Sequence, residues 1–258
     1  MEYSFLRMTK KLYSRQEFED HLNAKAIEQS KNSELAVKSL EVFSMADRHD
    51  WIHQTRWFGE PALQTAEDMI TIQDILFRTR PDFFVEVGTA WSGSLLMYAT
   101  IMEALDFGHI IGIDIYIPED LVDRINSFPE LSKRITLIKG SSIDPLVLAK
   151  VSKLIGNSRN VSVHLDSDHS HQHVFNELQA YSGFVKSGNY LICGDTVVED
   201  IPEQTHRPRH WGVGNNPKTA MNQFLKNCSD GSRFTVDISI RNKLLMSNQK
   251  DGYLIANK

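Results

Sequence analysis

The chain has 258 residues, enough for one large α/β domain or one domain with a helical extension. Its 41% hydrophobic and 24% charged content is ordinary for a globular protein and excludes a disordered or collagen-like chain. The 28 basic and 33 acidic residues leave a net charge of −5, which gives no global attraction to nucleic acid or to an anionic membrane.

In chain order, the opening "MEYSFLRMTKKLYSRQEFEDH" has no apolar core long enough for a signal peptide. No later run approaches the roughly 18 to 20 apolar residues of a membrane span. A cytoplasmic protein is expected. Residues 15 to 46 are polar and helix-prone, with Phe18, Leu22, Ala26, Leu35, Val37, Leu40 and Phe43 spaced for one or two amphipathic helices. "WIHQTRWFGEPALQT" (51–65) reads as an ordered aromatic loop, whose rings should pack on a pocket, a neighbouring subunit or the domain itself. These segments form an N-terminal extension (1–65) ahead of the main domain (66–258). The aromatic loop and the helices make self-association into a homo-oligomer an expectation. "AEDMITIQDILFRTR" (66–80) is a helix with Met69, Ile72, Ile75 and Leu76 on one face and Thr65 as its N-cap.

From Pro81 the rhythm changes. Apolar runs at 83–88, 109–115, 134–140, 161–166 and 189–195 alternate with helices at 93–105, 119–127, 144–155 and 170–186. Near-continuous apolar strands alternating with helices predict a parallel sheet covered on both faces. A helix at 217–227 is followed by "RFTVDIS" and "DGYLIAN", two strands with no helix between, expected as a closing antiparallel hairpin. The two cysteines, Cys193 and Cys228, form no CxxC pair, so neither a zinc ribbon nor a disulfide framework is expected.

In such a sheet, ligands bind outside the carboxyl ends of the strands. Polar residues stand at all five ends: "EVGTAWSGS" (86–94), Asp114, "KGSSID" (139–144), Asp166 and "GDT" (194–196). Gly88 lets the backbone approach a ligand, and Ser92 or Ser94 can cap the following helix. The loop is not GxGxxG, so a pyrophosphate-binding dinucleotide site fits poorly. An acid just before the glycine suits a cationic or hydroxylated ligand, and Asp114 is placed to hold ribose hydroxyls.

The order of "ExGT…GS", "GIDI", "GSS-D", "LDSDHSHxHV" and "Y-I--DT" resembles the cephalosporin hydroxylase/rhamnosyl O-methyltransferase family. "WFGEPALQ" (57–64) is similar to that family's W-x-G-x-P-x-x-Q element, and the likeness spans about residues 50 to 257. The resemblance implies an S-adenosylmethionine (SAM)-dependent methyltransferase with a seven-stranded, mostly parallel Rossmann-like sheet. Carried over by position, Glu86, Gly88, Thr89, Gly93 and Ser94 would line the methionine end of SAM. Asp114 would hold the ribose, Ser141 and Ser142 would sit near the adenine, and Gln64 would join from the upstream loop. Asp166 is counted with the cofactor residues and also as a metal ligand with Asp195.

The resemblance further implies a D-x-x-H element, here Asp166-Ser167-Asp168-His169. Its carboxylates would bind Mg²⁺ and its histidine would take the proton of the acceptor hydroxyl. The related pattern has two adjacent acids after strand five, where this chain has Gly194-Asp195, so Mg²⁺ is the weaker expectation. His164, inside its strand, reads as a satisfied core histidine. His171 and His173 open the next helix two residues apart, so they point to different faces and make no zinc pair. "THRPRHWGVGNN" (205–216) is a lid candidate over the acceptor. The leading expectation is O-methylation of a sugar-like small molecule. The alternatives are a catalytically silent cofactor-binding or assembly subunit and, more remotely, an NAD-type oxidoreductase.

Overall fold

The computed structural model describes residues 14–257. Two helices come first, α1 (Arg15–Ser30) and α2 (Ser33–Asp47), followed by a 3-10 turn (Trp51–Gln54) and a two-stranded ribbon of β1 (Arg56–Trp57) and β2 (Glu60–Pro61). The aromatic loop packs on its own chain. Trp57 Nε1 donates to Thr100 Oγ1 at 3.1 Å, Phe58 stacks on Phe128, and Trp51 meets Phe43 edge-on.

The main domain alternates as the apolar runs predict: α3 (Ala66–Thr79), β3 (Phe83–Val87), α4 (Gly93–Ala104), β4 (His109–Asp114), α5 (Glu119–Asn126), α6 (Pro129–Ser132), β5 (Ile135–Lys139), α7 (Pro145–Ile155), β6 (Val161–Leu165), α8 (His171–Ser182) and β7 (Tyr190–Cys193). Helix α8 stops four residues short of the expected end. The tail holds α9 (Pro217–Asn227), β8 (Phe234–Val236), α10 (Ile238–Arg241) and β9 (Tyr253–Ala256). The expected hairpin is therefore interrupted by the short helix α10, which starts on Asp237, whose carboxylate accepts from Ser239 N and Ile240 N.

The sheet runs β5-β4-β3-β6-β7-β9-β8. The first five strands are parallel, and β9 inserts between β7 and β8 antiparallel to both. Both faces are covered. Val85, Val87, Ile111, Val163 and Leu165 join Val147, Val174, Leu178 and Phe224 on one side, while Phe84, Ile110 and Ile192 join Ile72, Leu95 and Leu96 on the other. Burial of these side chains at roughly 25 cal/mol per Å² is the main drive to this layered fold. Strand order reverses between β3 and β6, so the crevice opens at Gly88 and Asp166.

Thr65 caps α3 as expected, its Oγ1 accepting from Asp68 N at 3.2 Å. Neither candidate serine caps α4. Ser92 takes the N-cap place in left-handed backbone (φ 61°) without a side-chain bond, and the Ser94 hydroxyl goes to Glu86.

Candidate active site

A cavity of about 280 Å³ lies at this crevice. Its floor is Gly88, Thr89, Ala90, Ser94, Asp166, His169 and Asp195; its upper wall is Phe43, Ile52 and His53 from the extension and Arg207, Arg209 and Trp211 from the loop after β7. Residues ahead of α3 thus help build the site.

At its centre are Asp166, His169 and Asp195, with one ligand-type atom of each within 4.8 Å of the others. His169 Nδ1 lies 2.6 Å from Asp195 Oδ2. Asp195 is the second residue after β7, sits in left-handed backbone (φ 49°) and is held from behind by Asn248 Nδ2 at 3.2 Å. Trp211 stacks on His169, with ring centroids 4.9 Å apart. Burial works against a charge on His169, but the Asp195 carboxylate outweighs it and carries the imidazole up to about 9. Burial raises Asp166, with the nearby Asp195 adding to the rise; Asp195 falls because the attraction of His169 overcomes its own burial.

Several expected residues stand elsewhere. Glu86 is fully buried and does not reach the cavity wall. It shares its strand face with Phe84, beneath the helices, and its oxygens accept from Ser94 Oγ at 2.7 Å, Tyr98 OH at 2.9 Å and His164 Nδ1 at 3.3 Å. Gln64 is buried against the same group, its Nε2 donating to Tyr98 OH at 3.4 Å, with its Oε1 unpartnered. Gly93 serves packing: a Cβ there would stand 2.5 Å from the carbonyl oxygens of Glu60 and Pro61. Gly88 does line the cavity, but its missing Cβ and its φ of 85° make room for the Asp166 backbone, since a Cβ would lie 2.1 Å from Asp166 O.

Asp114 braces the first loop by accepting from Thr89 N, Ala90 N and Tyr116 N at 2.9–3.0 Å. A carboxylate offers about four acceptor positions, so one remains for a ligand hydroxyl. Ser141 and Ser142 do not reach the cavity. Ser142 donates to buried Glu177 at 2.5 Å, a carboxylate that also receives Ser167 at 2.6 Å and lies 3.1 Å from His173 Nε2.

The histidines divide as the spacing suggests. His164 is a fully buried core residue, between Glu86 and Gln249 Oε1 at 2.9 Å. His171 meets Thr219 and Gln223, and His173 turns to Glu177. Ser170 occupies the N-cap place of α8 without capping through its side chain. Asn248 and Asp47 carry no signal in the sequence, and Phe43 reads there only as an apolar helix position. None belongs to a motif, and only the fold brings them to the site.

A model of the rhamnosyl O-methyltransferase/CmcI family matches residues 49–257. The rhamnosyl O-methyltransferase of Mycobacterium tuberculosis is 24% identical over 222 residues, covering 81% of this chain and 83% of the relative. That of Mycobacterium leprae is 27% identical over 164 residues, covering 60% and 68%. Among solved structures, the chain is similar to CmcI in an Mg-SAM form, at 19% identity and a TM-score of 0.55 over 80% of this chain and 78% of that one. This likeness shows a shared fold. With the family model spanning well over half of the chain, from residue 49 to 257, the chain belongs to the rhamnosyl O-methyltransferase/CmcI family.

Proposed function

We propose that this protein is a SAM-dependent O-methyltransferase acting on a hydroxyl of a sugar or of a glycosylated small molecule or lipid. The carrying observation is His169 on the cavity floor at the strand-order reversal, with Asp195 behind its Nδ1 at 2.6 Å. The relatives named as rhamnosyl O-methyltransferases support the sugar acceptor. When bound, SAM supplies the sulfonium methyl group that the acceptor oxygen takes in an in-line displacement.

The chain's own part is positioning and proton removal. Asp195 orients His169 through Nδ1 and leaves Nε2 for the acceptor hydroxyl, the arrangement by which a carboxylate stabilises an imidazolium as it forms. The same attraction raises the histidine, so its neutral, proton-accepting form gains as pH rises. Thr89, Ala90 and Ser94 would flank the methionine end of SAM, and the free acceptor position of Asp114 would take a ribose hydroxyl. Ser142, buried on Glu177, is left out of the adenine contact that its position suggests. Asp166 and Asp195 fit a divalent cation, since two crowded carboxylates favour one between them. A cation held there would make an acceptor hydroxyl more acidic.

A homo-oligomer is supported by α1, which buries no residue and exposes Phe18, Leu22 and Ile27. Two free cysteines agree with a cytoplasmic location, and none of the described helices is long and apolar enough to cross a membrane. The test is mass-spectrometric detection of methylated glycosides from SAM and an acceptor panel. Wild type should give a product 14 mass units heavier by about one CH₂, as methyl replaces hydrogen, and His169→Ala should give none while still binding S-adenosylhomocysteine (SAH). Equal product from the variant would remove His169 as the base.

A further inference from the structure

Arg207 and Arg209 lie two residues apart in the loop after β7, yet their charges are treated differently. Arg207 pairs with Asp47, a buried residue ending α2 that also accepts from Gln204 Nε2 at 2.7 Å and meets His206 Nε2 at 2.9 Å. Its charge is answered, and this contact ties the loop to the extension. Among the described residues Arg209 forms no ion pair. Its guanidinium lies over the Trp211 ring, 4.3 Å from the centroid, and Trp211 stacks in turn on His169. The free cation is therefore fixed two stacked layers from the candidate base. Burial and the adjacent Arg207 charge disfavour the Arg209 cation, and the carboxylates of Asp195, Asp47 and Asp50 offset them only in part, so a further anion beside it would relieve the site.

Arg209 also stands where two cavities meet. A second cavity of about 270 Å³ lies along the loop, and Val198, Gln204, Arg207, Arg209 and Trp211 line both it and the catalytic cavity. An acceptor long enough to place one hydroxyl at His169 and its remainder in the second cavity must pass this guanidinium. The planar fork of arginine, held on an aromatic face, suits phosphate or carboxylate oxygens.

We infer that the acceptor is an anionic sugar derivative, whose phosphate or carboxylate group seats on Arg209 while its hydroxyl meets His169. This rests on the O-methyl transfer proposed above. The SAM carboxylate is the other anion that could use the same cation, and the test separates the two.

SAH-loaded protein is titrated in a calorimeter with a hexose 1-phosphate and with the matching neutral methyl hexoside. Wild type should bind the phosphate about tenfold or more tightly, since a charge-assisted pair contributes at least that much. Arg209→Gln should remove the difference, Arg209→Lys should keep part of it, and SAH affinity should stay within about twofold, below the effect of one lost charged contact. Equal binding of the two sugars by wild type would overturn the inference. So would an Arg209→Gln protein that loses SAH affinity instead, because the cation would then serve the cofactor. A protein that takes up no SAH would sink the methyl-transfer reading, and the same pair of sugars on cofactor-free protein would still decide the anion site.

Discussion

Gly194 stands against the carboxylate of Asp166: a Cβ on Gly194 would lie 2.6 Å from Asp166 Oδ1 and 2.9 Å from Leu165 O. This contact accounts for the absence of a second acid after β7. With Asp166 seated here, no side chain fits at 194, and the polar centre is completed by His169 instead. The silent-subunit alternative rested on that absence and has no separate support in the site. Gly194→Ala should displace Asp166 and destabilise the fold by about 1–3 kcal/mol, as overpacking does. Methyl transfer should fall more steeply than stability, which melting curves and turnover on the same preparation will show. Unchanged turnover would mean that Asp166 moves without consequence.

The His169–Asp195 pair predicts the pH dependence of turnover. Because Asp195 holds the imidazole protonated up to about 9, the fraction able to accept a proton grows as pH rises toward that value. The rate should climb across neutral and mildly alkaline pH. Asp195→Asn should lower the rate and move the rising limb to lower pH, since the attraction that raises the histidine is gone. A limb that stays in place would assign the titration to another group.

His164 predicts a pH dependence of stability. Burial opposes its charge, yet bonding to Glu86 and the nearby Asp166 raise it to about 9 from 6.5. A folded value above the unfolded one gives stability that is full below about pH 6.5 and is lost as pH rises to about 9. The loss should be about 3 kcal/mol by denaturant titration, and His164→Gln should flatten it. Glu86↔His164 are also paired across β3 and β6, so the variant should unfold cooperatively but earlier.

Asp47 predicts a remote effect on the acceptor. It holds Gln204, His206 and Arg207, so Asp47→Asn frees the loop that carries Arg209 and Trp211. KM for the acceptor should rise about tenfold, with each charged hydrogen bond contributing roughly 1.5–3 kcal/mol, while SAH binding persists. Faster proteolysis within 202–211 would accompany it. A change in kcat alone would speak against a role in seating the acceptor.

Much of this was legible in the sequence because it depends on local pattern. Apolar runs bounded by Gly, Asp and Pro mark the five parallel strands, and strand ends locate Asp166, His169 and Asp195. Facing was harder to read. Glu86 is one residue from the loop, but period-two alternation turns it under the helices with Phe84, toward His164 and Tyr98. Ser142 likewise spends its hydroxyl on Glu177. Contacts between distant segments left no pattern at all: Asp47 and Gln204 are 157 residues apart, Asn248 and Asp195 53. The reversed insertion of β9 between β7 and β8 is equally silent, since an apolar strand reads the same in either direction.

The central claim is tested most directly by isothermal titration of the wild-type protein with SAH and, separately, with NAD⁺. Saturable heat with SAH, one molecule per chain, and none with NAD⁺ is the predicted result. Saturable binding of NAD⁺ with no response to SAH would contradict the account.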